Sequence, residues 1–156
     1  MTTLIGQVAP DLALPASNGQ TVRLADFQGK NIVLYFYPKD MTPGCTTEAC
    51  DFRDRHQDFS GSNTVILGVS PDPVLKHEKF IEKHSLPFLL LADEQNELAK
   101  AFDVWKLKKN FGKEYMGIER STFIIDSEGK VVKEWRKVKV KGHTDEVFQF
   151  IQENLA

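Results

Sequence analysis

Between Asn31 and Pro38 the chain carries an unbroken apolar and aromatic run, Ile32-Val33-Leu34-Tyr35-Phe36-Tyr37, and no segment constrains the fold more. A strand with one face in water alternates apolar and polar residues. A strand without that alternation is buried on both faces, as happens in a sheet covered by helices on both sides. Pro38 stops the run, and within a few residues Thr42-Pro43 offers an N-cap followed by proline at the first helical position.

The remaining segments extend this strand-then-helix pattern. Leu12–Leu14 and Thr21–Leu24 flank the turn signal Asn18-Gly19 and predict a short N-terminal hairpin, with Pro15 confining its first strand to an edge. Residues 45–59 have helical spacing, with Ala49, Phe52, His56 and Phe59 on or near one stripe. Thr64–Val69 and Phe88–Ala92 read as strands, and Val74–His84 and about Glu94 to Phe102 as helices. Ser121–Asp126 and Val131–Arg136 form a second hairpin around Ser127–Lys130. Thr144 is the expected N-cap of a last amphipathic helix carrying Val147, Phe148, Ile151 and Leu155. The order predicts an α/β fold with a central mixed β-sheet flanked by helices. In such sheets reactive groups gather beyond the carboxyl ends of the strands, where residues 38–45 fall.

Composition narrows the class. The 156 residues, 41% hydrophobic, suffice for one domain spanning 1–156. A formal net charge of -2 argues against a strongly basic nucleic-acid binder and against an acidic disordered tail. No apolar run reaches the roughly 20 residues of a membrane span. Met1–Ala9 lacks the pattern of a secretory signal. Two cysteines make no disulfide scaffold, and a soluble, cytoplasmic protein with reduced thiols is the expectation.

One of those thiols stands out. Cys45 falls in the first turn of the helix opened by Thr42-Pro43, where backbone N–H groups are unpaired and the dipole is positive. A free thiol has a pKa near ~8.5, and helix N-termini and cations lower it; the thiolate is the nucleophile. Gly44 allows close approach of a ligand to the backbone. A lone cysteine is more often a small buried hydrophobe. Cys45, however, follows a strand, opens a helix and sits among Pro, Thr and Gly, which favours the reactive reading. Cys50 follows five residues later, which in an intact helix puts the Cα atoms roughly 8–9 Å apart. A disulfide needs them within about 7 Å. Spacing alone leaves two readings of Cys50 level: a plain helix residue, or a resolving thiol whose use requires the first turns to unwind.

Pro38-x-x-x-Thr42-x-x-Cys45 resembles the active-site motif of peroxiredoxins, thiol peroxidases on the thioredoxin fold. Thr42-Pro43-Gly44-Cys45-Thr46 with Ala49-Cys50 is similar to the bacterioferritin comigratory protein and peroxiredoxin Q branch. The likeness extends through Leu14-Pro15, Asn18-Gly19, Val22-x-Leu24, Tyr35-Phe36-Tyr37-Pro38, Gly68-Val69-Ser70 and Arg120–Asp126. The resemblance implies that Cys45 attacks the peroxide and becomes a sulfenic acid. It also implies that Thr42 hydrogen-bonds the peroxide, that Pro38 shields the pocket from water, and that Arg120 stabilises the thiolate and the parting oxygens. By the same resemblance Cys50 resolves the sulfenic acid as an intramolecular disulfide, protecting Cys45 from sulfinic acid. The substrates implied are hydrogen peroxide and alkyl hydroperoxides, the reductant is thioredoxin, and the chain is a monomer needing no cofactor.

Other features are expected to be structural. His56, His77, His84 and His143 sit mostly among charged residues without zinc-like pairing to either cysteine, and read as solvated or partly buried. Glu48 suits the helix dipole, with a minor part in orienting Arg120. Lys106–Lys113 reads as a mobile surface loop, with Phe102, Trp105 and Phe111 as core packing. Two competing classes are a general thioredoxin-like disulfide oxidoreductase, which the absent C-x-x-C opposes, and a noncatalytic interaction or holdase module.

Overall fold

A computed structural model describes residues 3–155. The chain opens with the hairpin β1 (Leu14–Pro15) and β2 (Thr21–Val22). It continues through β3 (Asn31–Phe36), α1 (Pro43–Asp54), α2 (His56–Gly61), β4 (Thr64–Ser70) and α3 (Val74–His84). Then follow β5 (Leu89–Ala92), α4 (Glu97–Ala101), β6 (Trp105–Asn110) and β7 (Lys113–Ile118). The last elements are β8 (Ser121–Ile125), β9 (Val131–Trp135) and α5 (His143–Asn154).

The main sheet has the order β5-β4-β3-β8-β9. β3 pairs parallel with β4 and antiparallel with β8, so the apolar run occupies the centre of a mixed sheet, as expected. Its pleat feeds two cores. Ile32, Leu34 and Phe36 join Leu67, Val69, Phe102 and Phe123 on the face covered by the N-terminal hairpin and α4. Val33, Tyr35 and Tyr37 join Phe52, Phe59, Phe80, Val147 and Ile151 under α1, α2, α3 and α5. Both sets of β3 side chains are buried, which is why no polar residue interrupts the run.

Four expectations are corrected. The helix expected to run on to residue 59 breaks at Arg55, whose φ of -106° and ψ of 9° leave the helical region. Arg55 there pairs with Asp145 at 2.8 Å and lies over the Phe148 ring, tying the break to α5. α4 begins later than Glu94. The Asp93 carboxylate accepts the amides of Leu98 and Ala99, and Asn96 takes a left-handed φ of 58°. Thr144 lies inside the first turn of α5, and the cap position belongs to Gly142 at φ 75°.

The largest correction concerns Lys106–Lys113. It belongs to a regular antiparallel hairpin, β6–β7, with Lys109 opposite Glu114 and Trp105 opposite Ile118. Phe111 and Gly112 both have positive φ, 52° and 78°, which a two-residue connection of the primed type requires. Phe102 is fully buried and Trp105 partly so, whereas Phe111 at the tip is 96% exposed and packs into no core.

Candidate active site

The loop from Tyr37 to Thr42 leaves the carboxyl end of β3 and turns into α1. Thr42 is in extended conformation at the N-cap and Pro43 takes the first helical position, as the sequence predicts. The Thr42 hydroxyl does not cap the helix, however. It donates to the Lys39 carbonyl at 2.8 Å, so its lone pairs remain for an incoming O–H donor. Pro38, half-buried, begins the same loop.

The first helical hydrogen bond runs from the Thr46 amide to the Thr42 carbonyl at 2.9 Å. The Gly44 and Cys45 amides precede it and face out of the helix end, adding positive potential beside the thiol. Cys45 is 2% exposed, packed in the α1-side core with Tyr35, Tyr37 and Ala49. Its sulfur accepts a hydrogen bond from Arg120 Nη2 at 3.3 Å, although the two residues are 75 positions apart. Arg120 joins β7 to β8, and its carbonyl accepts the Val138 amide. A Cβ placed on Gly44 would lie 3.3 Å from Arg120 Nη2, so the absence of a side chain there leaves room for the guanidinium.

Glu48, one turn beyond Cys45, is the residue whose weight the sequence understates. Its carboxylate is 1% exposed and accepts Arg120 Nη1 at 2.6 Å. The guanidinium therefore spans carboxylate and sulfur, one amino group to each. Burial pushes the Glu48 carboxyl up to about 7, against the pull of Arg120. Burial opposes the Arg120 charge as well, but Glu48 and Cys45 more than offset it and raise its pKa. The Glu48 Oε2 atom and the Tyr35 hydroxyl are both buried without a hydrogen-bond partner among the described residues. Lys108 of β6 is near enough to feel the same charges: burial first, then Arg120, lowers its pKa.

Cys50 is half-buried and free, as is Cys45, and α1 runs unbroken through both. The sulfur of Cys50 lies 3.9 Å from His84 Nδ1 on α3. The structure thus gathers Cys45, Gly44, Glu48 and Arg120 into one cluster, with Thr42 and Pro38 on the loop leading into it. Cys50 stands apart on the same helix.

Two of the four histidines need correction, since only His56 and His84 are partly buried as expected. His77 is fully buried and hydrogen-bonded through both ring nitrogens, and His143 is buried against Thr122. Local sequence did not show this, because the partners that hold them in the interior lie 14 to 37 residues away, although His143 also meets Glu146 three residues on. No group of three or more His, Cys, Asp or Glu side chains among the described residues is arranged to hold a metal ion. None of the described helices is long and apolar enough to cross a membrane.

Comparison with known proteins agrees with this geometry. The model of the AhpC/TSA family matches residues 5–134. Over 153 residues the chain is 68% identical to peroxiredoxin Bcp of Bacillus subtilis, covering 98% of each chain. It is 41% identical over 149 residues to peroxiredoxin Bcp of Escherichia coli K12, covering 96% of each. Among solved structures, the bacterioferritin comigratory protein of Xanthomonas campestris, described for its alkyl peroxide reduction activity, superposes with a TM-score of 0.92. That protein is 42% identical, with 99% of each chain covered. The mixed sheet, its flanking helices and the N-terminal hairpin are the thioredoxin-like fold of these proteins. The cysteine at the helix end, its arginine and the whole-length likeness assign the chain to the AhpC/TSA family, in the bacterioferritin comigratory protein and peroxiredoxin Q branch.

Proposed function

We propose that this protein reduces hydrogen peroxide and alkyl hydroperoxides with Cys45 as the attacking thiol. The observation that carries the reading is the Arg120 guanidinium, held by Glu48 at 2.6 Å and donating to the Cys45 sulfur at 3.3 Å. O–O cleavage places negative charge on the separating oxygen, and a fixed cation with helix-end amides is what stabilises it. The Cys45 thiolate forms an S–O bond as the O–O bond breaks. The departing oxygen takes a proton and leaves as water or an alcohol, and Cys45 becomes a sulfenic acid. Thr42 accepts a hydrogen bond from the peroxide O–H, and Pro38 keeps water from the pocket.

Cys50 then attacks the sulfenic sulfur, an S–S bond forms, and the hydroxyl leaves as water. In this reading α1 unwinds between residues 45 and 50, since the intact helix keeps the two thiols apart. A dithiol protein of the thioredoxin type reduces the disulfide back to two thiols. The working unit is one domain, 1–156, acting as a cytoplasmic monomer without a cofactor.

The test is coupled turnover with thioredoxin, thioredoxin reductase and hydrogen peroxide. Cys45→Ser should abolish it. Cys50→Ser should consume one equivalent of peroxide and then recycle slowly or not at all. Peroxide-independent reduction of insulin disulfides, lost in Cys45→Ser, would instead point to a general disulfide reductase.

A further inference from the structure

Behind the loop that carries Pro38 and Thr42 lies a buried polar cluster with no part in the chemistry above. Asp40, 1% exposed, is its centre. The Asp40 amide donates to Asp72 Oδ2 at 2.7 Å, one carboxylate oxygen accepts the Tyr37 hydroxyl, and the other lies 2.6 Å from His77 Nδ1. His77 Nε2 lies 2.9 Å from the Leu91 carbonyl. That carbonyl can only accept, so Nε2 carries a hydrogen, and one further proton lies between Nδ1 and Asp40. Asp72 is held in turn by the Ser70 hydroxyl and by Lys76.

These partners come from the ends of β3, β4 and β5 and from α3, so a loop of five residues is tied to most of the sheet's carboxyl edge. Next to Asp40, Met41 has φ 68°, a left-handed conformation that an L side chain keeps only where its surroundings hold it. Buried charges of this kind are seldom kept for stability, because well-packed apolar residues serve that purpose as well.

We propose that the Asp40–His77 pair is a positioning device that holds the 38–42 loop, and with it Pro38 and Thr42, in the geometry that admits a peroxide to Cys45. The pair acts through the loop and touches no reacting atom. It clamps the side of Cys45 that stays in place, whereas the polar side-chain contact of Cys50, on the side that unwinds, is among the described residues the 3.9 Å approach to His84. The proposal rests on Cys45 being the attacking thiol.

The experiment compares two reactions of Cys45 in a Cys50→Ser parent: oxidation by hydrogen peroxide, which needs the loop geometry, and alkylation by iodoacetamide, which does not. Peroxide-dependent loss of the Cys45 thiol in the parent is read first, and its absence would overturn this proposal together with the proposed function. Asp40→Ala and His77→Gln should lower the ratio of peroxide rate to alkylation rate by about tenfold or more. Asp40→Asn should restore most of the ratio, to within a factor of about three of the parent. Its amide N–H can donate to a neutral Nδ1 while its carbonyl accepts the Tyr37 hydroxyl. Should Asp40→Ala fail to fold, His77→Gln against Asp40→Asn decides. A ratio unchanged in His77→Gln, or lowered as far in Asp40→Asn as in Asp40→Ala, would overturn the positioning role.

Discussion

Arg120 illustrates how one side chain is fixed in place by two others. Its fork reaches Glu48 and Cys45 together because a planar guanidinium offers donors in fixed directions. A lysine at this position has one compact ammonium and cannot span both. Arg120→Lys should therefore slow peroxide attack by about 10–100-fold despite the retained charge, measured as the rate of Cys45 thiol loss. Thr42→Val should lower that rate more than Thr42→Ser, and equal rates would remove the hydroxyl from the mechanism. Glu48 carries a further consequence for stability. Its pKa is raised from 4.5 to about 7, chiefly by burial, so the fold favours the protonated form. The stabilisation this gives is complete below about 4.5 and is lost as pH rises through about 7, on the order of 3 kcal/mol. Urea melts at acidic and alkaline pH should show that loss in the wild type and a flatter profile in Glu48→Gln. At this scale Cys45 was legible from its local context, a strand end, a Thr-Pro cap and a glycine. The weight of Glu48 and the burial of His77 were not, because each depends on a partner tens of residues away.

At the scale of elements, α1 matters most. It is intact across both cysteines in the reduced chain, so an intramolecular disulfide requires its first turns to open. Hydrogen exchange should report this directly: amides from Thr46 to Cys50 should lose protection on oxidation, while β3 amides keep theirs. Equal protection in both states would rule out unwinding. The central strands leave little freedom of their own. A Cβ on Gly68 of β4 would fall 2.7 Å from Leu90 Cδ2 and 3.0 Å from the Tyr35 ring and hydroxyl. Gly68→Ala should thus destabilise the protein by about 1–3 kcal/mol in a denaturant titration. Strands with unbroken apolar runs were legible because they are short, bounded by turn residues and rich in β-branched and aromatic side chains, which suits a strand buried on both faces. The β6–β7 hairpin was not. Its lysines obscure the alternation, and Phe111 occupies a left-handed turn position where Asn or Gly is the usual signal. The break at Arg55 was equally hidden, since its cause is a contact with α5.

Across the whole molecule, sheet order explains why the site lies where it does. The order β5-β4-β3-β8-β9 brings the carboxyl ends of three parallel strands together, and the loop after the central one carries the thiol into a helix end. Arg120 arrives from the opposite direction because β8 runs antiparallel to β3. The most direct test treats the reduced protein with one equivalent of hydrogen peroxide, then counts free thiols and measures intact mass. Loss of both thiols, a mass lower by two hydrogens and no dimer is the expected result for attack by Cys45 and resolution by Cys50. A gain of one oxygen with Cys50 still free would contradict the resolving step, and no reaction at all would contradict the peroxidase itself.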